Sequence, residues 1–413
     1  MHDLLLVINA GSSSLKFQLY AIQEADTLAL IYGGQVSGIG SAHPNFKVRD
    51  AARSVLVDRD LAASDAADLG LAQHALAEWL GTRIDRQPIA VGHRIVHGGA
   101  RMSDSIVVDD AVLEYLDSLS PLAPLHQHNN LAPVHVIHEQ WPEIRQVACF
   151  DTAFHRTHDN MVDRFALPES FYERGVRRYG FHGLSYDYIA QHLRQHLPDV
   201  ASGRVVAAHL GSGASACAMV NGRSVESTMG FTALDGLPMG TRPGRLDAGV
   251  VLWMLEQGMT HDEIQHVLYA ESGLKGLSGI SADVRDLLVS GAPSAKLALS
   301  YFAYRTAESI AGLCVASKGL DSLVFTAGVG ENSPPVRAAI CGHLDWLGIK
   351  LDDARNREGS VCISGRDSRI GVYVVPTNEE YVIARQTLEK IRASAAASAI
   401  LPVAAMPQPQ PVP

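Results

Sequence analysis

Residues Leu4–Ile8 form a short continuous apolar run, the pattern of a strand buried on both faces. After Asn9-Ala10-Gly11-Ser12-Ser13-Ser14, the apolar residues Leu15, Phe17 and Leu19 alternate with Lys16, Gln18 and Tyr20, which predicts a second strand. The same plan recurs mid-chain. An apolar strand, Val205–Leu210, meets a Gly/Ser turn at Gly211–Ser215, then a strand to Val220 and an Asn221-Gly222 hairpin signal. Two copies of strand, Gly/Ser turn and strand predict an internally duplicated architecture, each half offering one turn to a shared cleft.

Helical spacing fills the intervals. The stretches DAADLGLAQHALAEWL and PSAKLALSYFAYRTAESIAGLCVAS carry apolar residues at i, i+3, i+4 and i+7. Ser333-Pro334 reads as an N-cap followed by a first-turn proline, opening a helix that runs to about Leu347. Strands alternating with long helices make the class α/β. The Ala/Pro-rich end, 391–413, lacks a periodic core and reads as a disordered tail.

Composition narrows the function classes. A chain of 413 residues predicts two or three domains, and 47% hydrophobic with 19% charged residues suits large globular cores. The net charge of −10, with no long basic run, argues against nucleic acid or an anionic membrane as a partner. Five scattered cysteines without a Cys-x-x-Cys argue against a disulfide framework and fit a reducing cytoplasm. Leu4–Ile8 is too short for a signal h-region, and nothing approaches the run of roughly 20 apolar residues that spans a bilayer.

The Gly-rich stretches lack a G-x-x-x-x-G-K-[ST] motif, which excludes a P-loop. GSGASA is followed by a strand rather than a helix, which argues against a dinucleotide fold. What remains is a pair of turns whose N–H groups and hydroxyls can cradle phosphate, with Lys16 just beyond the first. Either turn alone reads better as an ordinary hairpin; two in matching positions shift the balance toward phosphate. In LVFTAGVGENSPPV, a buried strand runs into Gly328-Val329-Gly330, read as a loop before the Ser333-Pro334 helix, where an anion could approach the backbone. Arg94 in VGHRIVHGG and Arg242 in LPMGTRPGR follow apolar, Gly-flanked segments, and paired guanidinium groups suit a carboxylate or phosphoryl group. Asp151 and the Asn378-Glu379-Glu380 stretch place carboxylates at strand ends, and His182 sits between an aromatic residue and Gly183. Taken singly, these also read as caps, first-turn acids and a core histidine. The histidine pairs 126/128, 135/138 and 155/158 lack zinc spacing, whereas hard carboxylates beside phosphate nests suit Mg²⁺ carried in with a nucleotide.

The ordered motifs NAGSSSLKFQL, GHRIVHGG, FDTAFH, RRYGFHG, HLGSGAS, MGTR, SGLKGLSGISADVR, FTAGVGENS and PTNEE resemble the acetate kinase family from Asn9 to about Arg385. That resemblance implies two ribonuclease-H-like domains of the actin-like ATPase kind, with a nucleotide cleft between them. The first would comprise 1–150 plus the returning helix 377–390, and the second 151–376. It further implies reversible transfer of the ATP γ-phosphoryl group to acetate, in a cytoplasmic homodimer. By resemblance, Asn9 and Glu379 hold Mg²⁺, with Mn²⁺ as an alternative ion, and Ser12, Ser14 and Lys16 form the first phosphate loop. Arg94 binds the substrate carboxylate; Val96, Leu125, Phe181 and Ala233 form its methyl pocket. Asp151 is the catalytic aspartate, with His182 and Arg242 stabilising the transition state. His209, Leu210, Gly211, Ser212 and Gly213, then Asp283, Val284 and Arg285, then Gly328, Val329, Gly330, Glu331 and Asn332 bind ATP or ADP.

The departures bear on rate and selectivity. Ser212 stands where the family usually has Asn, and HQHNN at His126–Asn130 replaces HNPPN. Leu184 and Tyr186 replace polar residues of GFHGTSH, and Pro243 and Arg245 alter the stretch after Arg242, with Arg245 expected to make the cleft more positive. Ala233, commonly Pro, leaves room for propionate. Two other readings stand beside acetate kinase: a propionate or other short-chain acyl kinase, and a nucleotide-driven binding protein of the actin or heat-shock kind.

Overall fold

A computed structural model describes residues 2–11, 13–123 and 126–400; Ser12, Leu125 and the terminal stretch 401–413 lie outside the described residues. The chain builds two sheets. The first contains β1 (Asp3–Ala10), β2 (Ser14–Ile22), β3 (Leu28–Ser37), β4 (Asn45–Asp50), β5 (Val55–Asp60), β6 (Ala90–Ile95), β7 (Ile106–Val107) and β8 (Arg145–Phe150), in the order β5-β4-β3-β2-β1-β6-β8-β7. The second contains β9 (Arg204–Leu210), β10 (Ala214–Val220), β11 (Arg223–Ser227), β12 (Ser322–Thr326) and β13 (Gly371–Val374), in the order β11-β10-β9-β12-β13.

The duplication is visible in the pairings. In each sheet an antiparallel trio (β3-β2-β1 and β11-β10-β9) continues into parallel neighbours (β6-β8 and β12-β13). The expected Gly/Ser turns join β1 to β2 and β9 to β10. β1 reads as one apolar run because both its faces are covered. Leu4, Leu6 and Ile8 pack under the helix Leu69–Gly81, whereas Leu5 and Val7 meet Val382, Ile383 and Leu388 of the helix Glu379–Ile400. That last helix lies so close to β6 that a Cβ on Gly92 would stand 2.2 Å from Thr387 Oγ1.

Two expectations need correcting. Residues 391–400 are the end of the helix Glu379–Ile400, with Ile391 buried against the first sheet, so the disordered reading fails for them. The rest of that tail lies outside the described residues. Ala-rich sequence without apolar periodicity carries high helix propensity, and one buried anchor is enough to extend the preceding helix. Gly328, Val329 and Gly330 also belong to a short helix, Ala327–Asn332, rather than to an open loop. Its first residue, Ala327, takes a left-handed φ of 65°, and the Glu331 carboxylate accepts the Ala327 N–H at 2.8 Å. Among the described residues, no helix is long and apolar enough to cross a membrane.

Candidate active site

The parallel strands end at one place. Asn9 on β1, Arg94 on β6 and Asp151 just beyond β8 sit at adjacent carboxyl ends, where open α/β sheets place their ligands. The ends of β9 and β12 bring His209, Gly211, Ala327 and Gly328 to the same cavity of about 540 Å³, together with Lys16, Ser212, Gly213, His182, Arg242, Thr377, Glu379 and Glu380. A second cavity of about 620 Å³, lined by Leu274, Val284, Phe302 and Val329 with Asp283 and Arg285, shares Gly211, Ser212 and Gly328 with the first. The two adjoin at these residues, the first cavity mainly polar and the second mainly apolar.

Arg94 and Asp151 form its centre. Arg94 Nε donates to Asp151 Oδ1 at 3.0 Å and Nη2 to Oδ2 at 2.7 Å, a bidentate pair, while Nη1 lies 3.4 Å from Asn9 Oδ1. Burial opposes the Arg94 charge, but the Asp151 and Glu379 carboxylates outweigh it and keep the guanidinium firmly protonated. Asp151 has used one edge of the guanidinium, and the Nη1–Nη2 edge still presents a fork of donors.

The expected groups on the opposite wall meet the same space. His182 takes φ 58°, forced by the packing of its turn, in which a Cβ on the next residue, Gly183, would lie 2.2 Å from the Asp151 carbonyl. Its ring stacks on His209 at 4.1 Å with planes 15° apart. Burial, then the neighbouring charges of His209, Arg94 and Arg242, holds His182 well below the ordinary histidine range. Arg242 Nη1 donates to the Ala233 carbonyl at 3.2 Å. Its burial lowers its affinity for a proton, Tyr269 opposing and the Arg94 charge adding, so an incoming anion relieves both costs.

Glu379 lies close to Asp151 and Glu380 on the cavity floor. Burial raises its proton affinity, Arg94 opposes, and the two other carboxylates add to the rise. Such a surplus of carboxylate suits a hard cation. No three His, Cys, Asp or Glu among the described residues are grouped to hold a metal ion.

Several expected residues sit apart from the cavity wall. Leu210 is fully buried in the core and Gly330 is buried, its carbonyl accepting from Arg337 Nη1 at 2.9 Å. Ser14 is absent from the lining, its carbonyl instead accepting the Gly11 N–H at 2.7 Å. Asn332 lines the apolar cavity and Glu331 the polar one, where Glu331 Oε1 also accepts the N–H groups of Ala327 (2.8 Å) and Thr377 (3.1 Å) and so ties two strand ends together. Val96, Phe181 and Ala233 line the polar cavity; Leu125 and Ser12 lie outside the described residues. Arg245 does not add charge to the cleft: with Pro243 it lines a separate cavity of about 780 Å³ beside Arg178 and Asp235. The Gly244 bend, φ 73°, turns it away.

Sequence reading missed His126, Asn130 and Thr377. His126 lines the cavity and is pushed down to about 4 by burial, with Arg242 and Arg94 adding. Asn130 Oδ1 accepts the Val96 N–H at 2.9 Å and its Nδ2 donates to the Ala10 carbonyl at 2.6 Å, clamping the ends of β6 and β1.

The acetokinase family model matches residues 4–385. This chain belongs to the acetokinase family. The acetate kinase of Nitrobacter hamburgensis is 51% identical over 94% of this chain and 96% of its own. That of Rhizobium meliloti is 50% identical over 95% and 99%. Among solved structures, Porphyromonas gingivalis acetate kinase superposes with a TM-score of 0.83 at 35% identity, covering 94% of this chain and all of that one. A propionate kinase from Francisella tularensis gives 0.86 at 32% identity, covering 94% and 99%. As in other members of this acetokinase family, the two sheets are duplicated actin-like ATPase folds, and the chain is a phosphotransferase with a carboxyl acceptor that uses ATP or ADP and a divalent metal.

Proposed function

We propose that the protein transfers the γ-phosphoryl group of ATP to acetate, giving acetyl phosphate and ADP, and runs the reverse reaction. The observation that carries this is the meeting of Arg94, Arg242 and His182 with the strand-end carboxylates in one cavity, which adjoins an apolar pocket that suits a nucleotide base. A binding module of the actin or heat-shock kind has no use for a donor fork and two further cationic or N–H donors around a small acceptor.

The acetate carboxylate is already ionised at neutral pH, so its attack on the γ-phosphorus needs no base. The P–O bond to ADP breaks as the new one forms, and charge spreads over three equatorial oxygens. Arg94 offers the remaining N–H groups of its Nη1–Nη2 edge to the acetate oxygens, Arg242 and His182 donate to the equatorial oxygens, and Lys16 faces the phosphate chain. Asp151 works by orienting Arg94 rather than by taking a proton. Asn9 and Glu379, with Glu380 alongside, would hold a divalent ion, Mg²⁺ or Mn²⁺, which supplies neutralising charge at the phosphates. The proposed domains are 1–150 with 377–390, around the first sheet, and 151–376, around the second.

Incubation with ATP, Mg²⁺ and acetate, followed by hydroxylamine trapping, should yield acetohydroxamate; ADP release that is independent of acetate would refute the reading. Ala233 favours a second acceptor, propionate, because a small side chain stands in the cavity wall. One methylene in such a pocket is worth about 1–3 kcal/mol. A propionate kcat/KM more than a thousandfold below that of acetate would rule out this room.

A homodimer is supported by the helix Ala248–Glu256, which buries none of its residues and leaves Leu252, Trp253 and Leu255 at least half exposed. Light scattering should show two copies, and one copy for Trp253→Glu.

A further inference from the structure

The His182 ring rests on a hydroxyl pair that the active-site motifs leave unexplained. Ser215 Oγ, on β10, lies 2.8 Å from His182 Nδ1, and the Tyr186 hydroxyl lies 2.5 Å from the same Oγ. Both Tyr186 and Ser215 are fully buried. Tyr186 leaves the first turns of the helix Gly183–His196 and packs among Leu193, Val205 and Cys217, so its ring is fixed by the core and its hydroxyl is the one polar atom it must satisfy.

We propose that Tyr186 and Ser215 are positioning residues that form a one-way hydrogen-bond relay, locking His182 in the tautomer whose proton is on Nε2, the nitrogen facing the phosphate turn. The kinetic part of this inference rests on the phosphoryl-transfer reading; the tautomer does not.

The direction follows from acidity and burial. A phenol is the strongest O–H donor of the set, with an ordinary pKa of about 10. Tyr186 therefore donates to Ser215, whose single proton is then left for His182 Nδ1. The opposite order would have Nδ1–H donate to Ser215 and Ser215 to Tyr186. That leaves the buried phenolic proton in search of another acceptor, at a cost. The His182 ring is held neutral, so the choice of tautomer is its remaining freedom. Nε2 lies 3.4 Å from where a Cβ on Gly213 would stand, alongside the Gly211–Gly213 turn. An N–H at that place attracts phosphoryl oxygens, and a bare lone pair repels them. His209, stacked on the ring and held by Ser185 Oγ at 2.8 Å, prevents rotation as a substitute for proton relocation.

Tyr186→Phe removes one oxygen and leaves the ring in place. Ser215 is then free to accept from Nδ1–H. Imidazole ¹⁵N NMR of the full nucleotide-free chain, with the His182 signals assigned by loss in His182→Gln, should show protonated Nε2 in the wild type and a shift toward protonated Nδ1 in Tyr186→Phe. Acetohydroxamate assays should show kcat falling about 10- to 100-fold in Tyr186→Phe, while KM for acetate and ATP changes less than about threefold. Ser215→Ala removes the partner of Nδ1 altogether, so the His182 signals should move toward those of a mixed tautomer population with a similar fall in kcat, and it serves as the second probe if Tyr186→Phe melts early. A wild-type ring protonated on Nδ1, or unchanged His182 signals in both variants, overturns the relay. A wild type with the Nε2 tautomer but no acetate-dependent turnover overturns the functional reading alone. Altered tautomers with undiminished kcat would show that the relay exists but does not serve catalysis, which also overturns the proposal.

Discussion

Asp151 shows how one residue type can serve a role that its position alone leaves open. A carboxylate at a strand end reads equally as a base, a metal ligand or a cap. Both oxygens bond Arg94 and its side chain is 2% exposed, which supports the proposed role of orienting the guanidinium. Asp151→Asn keeps the volume but faces Arg94 with an amide N–H in place of one oxygen. Breaking a buried pair in this way costs about 3–5 kcal/mol. The expected outcome is a fall in kcat of about 100-fold with a raised acetate KM and an altered Mg²⁺ dependence, measured by hydroxamate formation across Mg²⁺ concentrations. Wild-type turnover with a wild-type Mg²⁺ profile would remove Asp151 from the orienting role. This residue was legible from sequence because an apolar run stops directly before it, Arg94 and Glu379 because each lies near the Gly or Pro break of an apolar strand, and Asn9 through the family motif. His126 and Thr377 were not, because nothing local distinguishes a histidine or threonine that faces a cavity from one that faces solvent.

Between elements, the site depends on side chains that repair backbone where strands end. β1 and β6 are hydrogen-bonded only as far as Ile8 and His93, so Ala10 and Val96 must find partners elsewhere. Asn130, in the first turn of the helix Gln127–Gln140, supplies both. Gln127 does the same for His97, accepting its N–H at 3.3 Å and donating to its carbonyl at 3.1 Å. Asn130→Ala strands two buried backbone groups, each worth about 1–3 kcal/mol. The urea midpoint should fall by the equivalent of about 3 kcal/mol with an unchanged slope, and kcat should drop because Asn9 and Arg94 lose their shared anchor. A shift below about 0.5 kcal/mol, the size of an ordinary surface change, would deny the clamp. Element-level features divided by range in the same way. Strand periodicity and the Gly/Ser turns act over a few residues and were readable. The helix Ala327–Asn332 was not, since it depends on Glu331 reaching its own first N–H and that of Thr377, a contact made only after β12 and β13 pair.

Across the whole molecule, the duplicated sheets force polar chemistry into places that are otherwise hydrocarbon, and histidines bear much of that burden. Burial holds His93 down to about 4, with Gln146 opposing, and His97 down to about 3, with Arg156 adding. His209 is held down to about 3 by burial, with Arg94 adding. In the unfolded chain each titrates near about 6.5, so below that pH the unfolded state binds protons that the folded state refuses. Stability from these groups is complete above about pH 6.5 and is lost progressively as pH falls toward their folded values. Each contributes a slope of about 1.4 kcal/mol per pH unit across that window. Urea midpoints should therefore decline from about pH 6.5 toward about pH 4.5, before ordinary carboxylates protonate, with the single opposite slope of Glu379, whose proton affinity burial raises, offsetting only part of the loss. Replacing one of the three tests the assignment. His93→Gln should reduce the slope by about 1.4 kcal/mol per pH unit. An unchanged slope in that variant would mean that His93 takes up its proton in the folded state, and that the acid loss arises at other groups.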